Sequence, residues 1–91
     1  MIKSFRNKAL AELFQTGTSA KIDLRMHKRI KIRLDVLDTI SNPSEMNRPG
    51  YDFHSLRGVP TRYSVHVNGP WCLTFAFEGT DAILVDFEQY H

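Results

Sequence analysis

Residues 71–91, at the end of the chain, read WCLTFAFEGTDAILVDFEQYH and carry the clearest strand pattern in the sequence. In residues 71–78 large apolar side chains alternate with smaller or polar ones, which is the two-residue period of a strand with one face on a core. Gly79 opens a short turn, and residues 82–87 are apolar on both parities, as in a central strand. The pattern predicts two antiparallel strands followed at once by Tyr90 and His91.

The N-terminal half of the chain has helical periodicity. After a short predicted strand at residues 1–5, a first helix is predicted over residues 8–15, with Asn7 as its N-cap and Gly17 as its end. A longer helix is predicted over residues 22–40, because apolar side chains recur there every three or four residues. That apolar stripe consists of Ile22, Met26, Ile30, Leu34, Leu37 and Ile40.

Two further strands are predicted between the long helix and the terminal hairpin, at residues 51–57 and 62–68. Asn68 and Gly69 form a strong hairpin signal after the second of them. The predicted order is therefore β-α-α-β-β-β-β. This order indicates an α+β fold in one domain, residues 1–91, with a twisted, mainly antiparallel sheet and the two N-terminal helices packed on one face.

Length and composition restrict the class of protein. Ninety-one residues suffice for one modest core. No apolar run approaches the roughly 20 residues of a membrane span, and the N-terminus MIKSFRNK lacks the apolar segment of a secretory signal. A single cysteine, Cys72, leaves no internal disulfide. These features predict a cytoplasmic protein without a membrane partner.

The charge is small in sum and uneven in distribution. The formal net charge is +2, yet all 12 Lys and Arg residues lie within residues 1–62, whereas residues 63–91 contain four acidic residues and no Lys or Arg. Much of the long helix's polar surface is basic, which indicates either ordinary solvation or contact with a polyanion such as RNA. Spacing alone does not choose between them. The candidate RNA-binding residues are Lys21, Arg25, Lys28, Arg29, Lys31 and Arg33.

Few residues could carry out chemistry. The sequence has no phosphate-binding glycine loop, no metal-ligand spacing and no nucleophile elbow, so no metal or cofactor is predicted. What remains is a set that could cleave RNA without metal: a base for the ribose 2′-hydroxyl, a cation for the phosphate and an acid for the leaving oxygen. Spacing alone leaves open that these are ordinary surface side chains without a catalytic role, above all His66. The set comprises His54, Arg57, His66, Tyr90 and His91.

Several motifs resemble one family in the same order along the whole chain. They are MIKSF at residues 1–5, HSLRG at 54–58, YSVHVNGPW at 63–71, LTFAFEGTDA at 73–82, VDFE at 85–88 and the final Tyr90-His91. This series resembles the HigB toxins of the RelE/ParE superfamily, which belong to type II toxin–antitoxin systems. The resemblance implies a RelE-like fold.

The resemblance also implies a function. Such toxins are ribosome-dependent endoribonucleases, or mRNA interferases, that cut mRNA in the ribosomal A site. A HigA-type helix-turn-helix antitoxin binds the toxin, and the complex reaches operator DNA through the antitoxin. By the family pattern His54 would transfer protons, Tyr90 and His91 would complete the catalytic site, and Arg57 would face phosphate. The basic helix would then meet ribosomal RNA.

Two positions depart from the family pattern. Cys72 stands where the pattern has a phosphate-steadying arginine, and Gln89 stands where it has an acid. Loss of one electrostatic stabiliser can cost about 2.7–4 kcal/mol, or about 10²–10³ in rate. We therefore expect a weakened nuclease. Two alternatives remain: an inactive protein that acts through antitoxin binding, and a gyrase-inhibiting toxin of the ParE type.

Overall fold

A computed structural model describes residues 1–89; the expectations for Tyr90 and His91 lie outside the described residues. The predicted α+β architecture is confirmed, with two helices followed by a four-stranded antiparallel sheet whose strands lie side by side in their sequence order. The elements are α1 (Lys8–Thr16), α2 (His27–Thr39), β1 (His54–Leu56), β2 (Arg62–Asn68), β3 (Trp71–Glu78) and β4 (Asp81–Gln89), with short 3₁₀ turns at Leu24–Met26 and Pro43–Met46.

The N-terminal segment is less regular than the predicted strand at residues 1–5. It runs parallel to β4 through two isolated bridges, Ile2 to Ala82 and Phe5 to Val85. Between them Leu84 has a left-handed backbone (φ 55°), and the Ser4 hydroxyl accepts its N–H. The ladder is interrupted because a side chain takes the place of a backbone partner.

Capping residues bound α1 and begin the 3₁₀ turn that precedes α2. The Asn7 side chain accepts the N–H of Leu10 at the start of α1, and Gly17 ends it with φ 86°, as predicted. Helix α2 begins at His27, later than predicted. Asp23 accepts the N–H of Arg25, which closes a 3₁₀ turn before the α-helix starts. All six residues of the predicted apolar stripe are nevertheless buried.

The strand predicted at residues 51–57 is much shorter in the structure. Regular pairing covers only His54–Leu56, although the carbonyl of Tyr51 still accepts the N–H of His66 at 2.6 Å. Asp52, between these contacts, adopts a left-handed backbone with φ 47°. That conformation interrupts a regular strand, and aspartate tolerates it better than most residues.

The sheet has two faces of different character. Its inner face packs on the helices through fully buried residues such as Val65, Leu73 and Phe75 against Leu10 and Leu34. The prediction that β3 alternates between core and solvent is incomplete, since Thr74 and Ala76 on the opposite parity are also buried. The outer face therefore carries buried as well as accessible side chains. No helix within residues 1–89 has the length and apolar character that crossing a bilayer requires.

Candidate active site

The outer face of the sheet places polar side chains from all four strands in register. His54 pairs with Ser64, Ser64 with Thr74, and Thr74 with Asp86. Directly paired residues point to the same side of an antiparallel sheet, so these four side chains form one row across it. A second row runs beside it through His66, Cys72 and Glu88.

A groove of about 460 Å³ opens over the part of these rows formed by His54, Ser64, His66 and Cys72. This volume lies within the range of sites that hold small ligands. The groove brings together the predicted His54, the His66 whose role the sequence left open, and the divergent Cys72. Its lining consists of Asp52, His54, Ser55, Leu56, Ser64, His66, Gly69 and Cys72.

His54 is an exposed imidazole with a carboxylate beside it. Its Nε2 lies 3.1 Å from Oδ1 of Asp52, and both side chains are more than half exposed. An accessible imidazole can exchange protons with a substrate, and a carboxylate partner orients the ring. The left-handed backbone of Asp52 was not recognisable from the sequence.

His66 is held more firmly than His54. Its ring Nε2 donates to the carbonyl of Gly69 at 3.1 Å, in the turn between β2 and β3. Its own carbonyl accepts from Nε of Arg33 at 2.8 Å. The sequence interpretation of His66 left a surface or groove position open, and the structure places it in the groove lining.

Cys72 faces His66 across the β2–β3 pair. Burial raises the pKa of the Cys72 thiol, and the negative charges of Asp52 and Glu88 raise it further. The side chain is thus a neutral thiol near neutral pH, where the family pattern has a cation.

A polar cluster that the sequence analysis missed lies next to the groove. Nη2 of Arg62 donates to the Thr74 hydroxyl at 2.7 Å and also contacts the Glu88 carboxylate, which accepts from Thr74 as well. The cluster ties β2, β3 and the end of β4 together. Its only sequence signal was the polar parity shared by Arg62, Ser64 and His66 on β2.

A second cavity, of about 440 Å³, lies against the stacked rings of Trp71 and Phe87, whose centroids are 4.6 Å apart. Lys21 and Asp23 also line it. Its described lining contains neither histidine nor cysteine, so acid–base chemistry favours the first groove.

A family model described as RelE-like toxin of type II toxin–antitoxin system HigB matches residues 3–91. The chain belongs to this HigB toxin family. It is also 38% identical over 92 residues to a protein of Proteus vulgaris named Endoribonuclease HigB, and the match covers 100% of both chains. The family resemblance inferred from the motifs is confirmed, and membership in a toxin–antitoxin family implies an antitoxin as partner.

The other residues that the family pattern assigns to the site are Arg57, Tyr90 and His91, together with the divergent Gln89. Arg57 is exposed just after β1 and, among the described residues, stands outside the groove lining. Tyr90 and His91 lie outside the described residues. Gln89, the last described residue, pairs with Trp71, which precedes the groove residue Cys72. The described chain therefore ends at the edge of the sheet that carries the groove.

The structure corrects one of the six candidate RNA-binding residues. Arg33 is only 8% exposed, and it donates to the carbonyls of His66 and Arg29 and stacks over the Tyr51 ring at 4.3 Å. Burial lowers the pKa of its guanidinium. Helical spacing places it on the polar face, but helix α2 turns that position toward the sheet edge. Arg33 therefore supports the fold and does not belong to an exposed RNA surface.

The other five basic residues stay at the surface, in different settings. Lys21 and Lys28 are exposed, and Arg25 pairs with Asp23 at 2.8 Å. Lys31 is half-buried and contacts Asp35 at 2.6 Å and the Phe14 ring. Arg29 donates to the carbonyl of Val67 at 3.0 Å. Arg29 and Arg33 thus fix α2 beside the strand segment that carries His66.

Proposed function

We propose that this HigB-family toxin is a ribosome-dependent endoribonuclease that cleaves mRNA in the ribosomal A site. The observation that carries the proposal is the groove on the outer sheet face, where His54 lies beside Asp52 and opposite Ser64. The whole-length similarity to a protein named Endoribonuclease HigB supports the same reaction class.

The proposed chemistry is transesterification within the RNA strand, without a metal ion. A base removes the proton of the ribose 2′-hydroxyl, the 2′-oxygen bonds to phosphorus, and the bond from phosphorus to the 5′-oxygen breaks. An acid returns a proton to the leaving 5′-oxygen, which leaves a 2′,3′-cyclic phosphate. We assign proton transfer to His54 and propose that Tyr90 and His91 complete the site, with Arg57 approaching phosphate from its rim.

We further propose that the reaction is attenuated in this chain. The Cys72 thiol, held neutral by its raised pKa, cannot supply the positive charge that steadies a phosphorane. Gln89 can form hydrogen bonds and cannot take up a proton. A Cys72→Arg, Gln89→Asp double change should therefore increase toxicity; unchanged toxicity of a folded double variant would contradict attenuation.

The proposed partners follow from the function. A HigA-type helix-turn-helix antitoxin would cover the toxin and connect it to operator DNA, and the site of action would be the cytoplasm. We propose that Lys21, Arg25, Lys28, Arg29 and Lys31 face ribosomal RNA. Replacing any one of these five by glutamine should make the weakening of ribosome binding with salt less steep, because fewer phosphates are then neutralised.

The test is induction of the chain without antitoxin, with mRNA ends, translation and DNA integrity followed in parallel. Cuts within codons of translated messages support the proposal. DNA breaks would instead identify a gyrase poison, and unimpaired growth with normal protein levels would identify an inactive antitoxin-binding protein.

Two variants make the result specific to the groove. His54→Ala should abolish the cuts, because an exposed imidazole contributes to chemistry and little to folding. Thr80→Ala is the matched control: Thr80 is exposed in the β3–β4 turn, at the opposite end of β3 from Cys72. It should cleave like the unmodified chain. Equal cleavage by all three proteins would refute the assignment of the groove.

A further inference from the structure

Any RNA that enters the groove brings negative charge, which a group in the groove has to neutralise. Its described lining contains no lysine or arginine, and its titratable members are Asp52, His54, His66 and Cys72. A phosphodiester carries a negative charge, and that charge spreads further over its oxygens during cleavage. Cys72 is neutral and Asp52 is an anion, so the two imidazoles are the lining groups that can become cations.

We propose that His66 binds the phosphodiester in this groove through its protonated imidazole and stabilises the charge that develops during cleavage. The inference rests on the proposed nuclease function and deepens it by naming a phosphate-contacting residue. His54 is already engaged with a carboxylate at 3.1 Å and serves proton transfer. The phosphate-binding task therefore falls to the second imidazole.

The register places His66 correctly for this task. His54 pairs with Ser64, and His66 lies two residues further along β2 on the same face. Such diagonal neighbours lie about 7–8 Å apart, within reach of a group bound between them. His66 also pairs directly with Cys72, so the two side chains share the same part of the groove floor.

The hydrogen bond to Gly69 decides what the ring presents to a ligand. Because Nε2 donates to that carbonyl, the neutral ring leaves Nδ1 as an acceptor, which an anion would avoid. Protonation adds a hydrogen to Nδ1 and makes it a donor suited to a phosphate oxygen. Phosphate binding and proton uptake at His66 are thereby coupled.

The backbone of His66 is preorganised. Its N–H donates to Tyr51 at 2.6 Å, and its carbonyl accepts from the buried Arg33 at 2.8 Å. A donor held in place before the reaction costs no reorganisation when charge develops. The charged and titratable groups on the elements packed around His66 are Asp52, His54, Cys72, Glu88, Arg29 and Arg33.

The experiment is single-turnover cleavage on mRNA-programmed ribosomes from about pH 5.5 to 8.5, the range over which histidines titrate. His66→Asn keeps an uncharged polar side chain and removes the imidazole cation; we expect a loss of about 10²-fold. His66→Arg carries a permanent positive charge, so its cleavage rate should stay within about 5-fold of the rate of the unmodified chain at its best pH. The loss is small because the donor is displaced and not removed. This variant should also lose the rise in rate that His66 protonation adds on the acid side. A rise in rate on the acid side that only the unmodified chain shows is assigned to His66.

A double-mutant cycle tests whether His66 and position 72 serve the same phosphate. Cys72→Arg should raise the cleavage rate by a larger factor in the His66→Asn background than in the unmodified chain, since residues that serve the same phosphate are not additive. Equal gains in both backgrounds would overturn the proposal. So would a His66→Asn variant that cleaves as fast as Thr80→Ala.

A binding measurement separates failure of this inference from failure of the proposed function. If the unmodified chain cleaves no mRNA, the nuclease proposal fails, and the ¹⁵N shifts of the His66 ring during titration with inorganic phosphate decide the inference alone. A saturable shift that His54→Ala retains supports phosphate binding at His66. An unmoved ring overturns it, and the same titration decides the case if His66→Asn does not fold.

Discussion

Replacement of Arg33 by methionine should destabilise the fold and leave the RNA-facing surface intact. The guanidinium donates to His66 at 2.8 Å and to Arg29 at 3.2 Å, and it lies 4.3 Å from the Tyr51 ring centroid. Methionine has a similar length and can fill the space, so the loss concerns polar contacts more than packing.

The magnitude follows from these contacts. Hydrogen bonds from a charged donor contribute about 1.5–3 kcal/mol, and a desolvated cation–π contact adds about 1–2 kcal/mol. Burial of the charge opposes part of this, as the lowered pKa of Arg33 shows. We therefore expect Arg33→Met to lower the free energy of unfolding by about 2–4 kcal/mol, which corresponds to about 8–30 °C in Tm for a domain of this size.

Urea and thermal unfolding of the purified chain measure this change in stability, with Lys28→Met as the matched control. Lys28 lies on the same helix and is exposed, so its replacement should change the unfolding free energy by less than about 0.5 kcal/mol. Lys28→Met should reduce the salt dependence of ribosome binding, whereas Arg33→Met should leave it unchanged. A stable Arg33→Met variant with a reduced salt slope would refute the structural role and return Arg33 to the RNA surface.

Three further changes test other parts of the structure. Asp52→Asn should lower cleavage about 2–5-fold, because the exposed pair with His54 orients the ring with the modest energy of a surface ion pair; a loss beyond 100-fold in single-turnover assays would give Asp52 a direct role. Gly17→Ala should cost about 1 kcal/mol in thermal unfolding, since φ is 86° and a Cβ meets open space, and an unchanged Tm would contradict the left-handed cap. The raised pKa of Cys72 means that the unfolded thiol ionises first, so stability should fall as pH rises above about 9, and Cys72→Ser should abolish this fall.

The α+β architecture could be predicted from the amino-acid sequence, because hydrophobic period and turn chemistry are local properties. The Asn7 and Gly17 caps and the apolar stripe of the long helix each follow from neighbouring residues and agree with the structure. The strand at residues 71–78 also agrees, although both of its faces contain buried residues. The family motifs added His54 to the candidate site, and the structure places it in the groove.

Contacts between polar side chains of different elements could be read only from the tertiary structure. The two rows on the outer face depend on strand register, which is set by pairing between residues distant in sequence. The local pattern also did not indicate that Arg33 is buried against β2 while Lys28 on the same helix is exposed, because this difference depends on a neighbouring strand. Helical spacing gives the angle of a side chain around its own axis, and only the position of the neighbouring strand determines whether that direction leads to solvent or to a carbonyl that needs a donor.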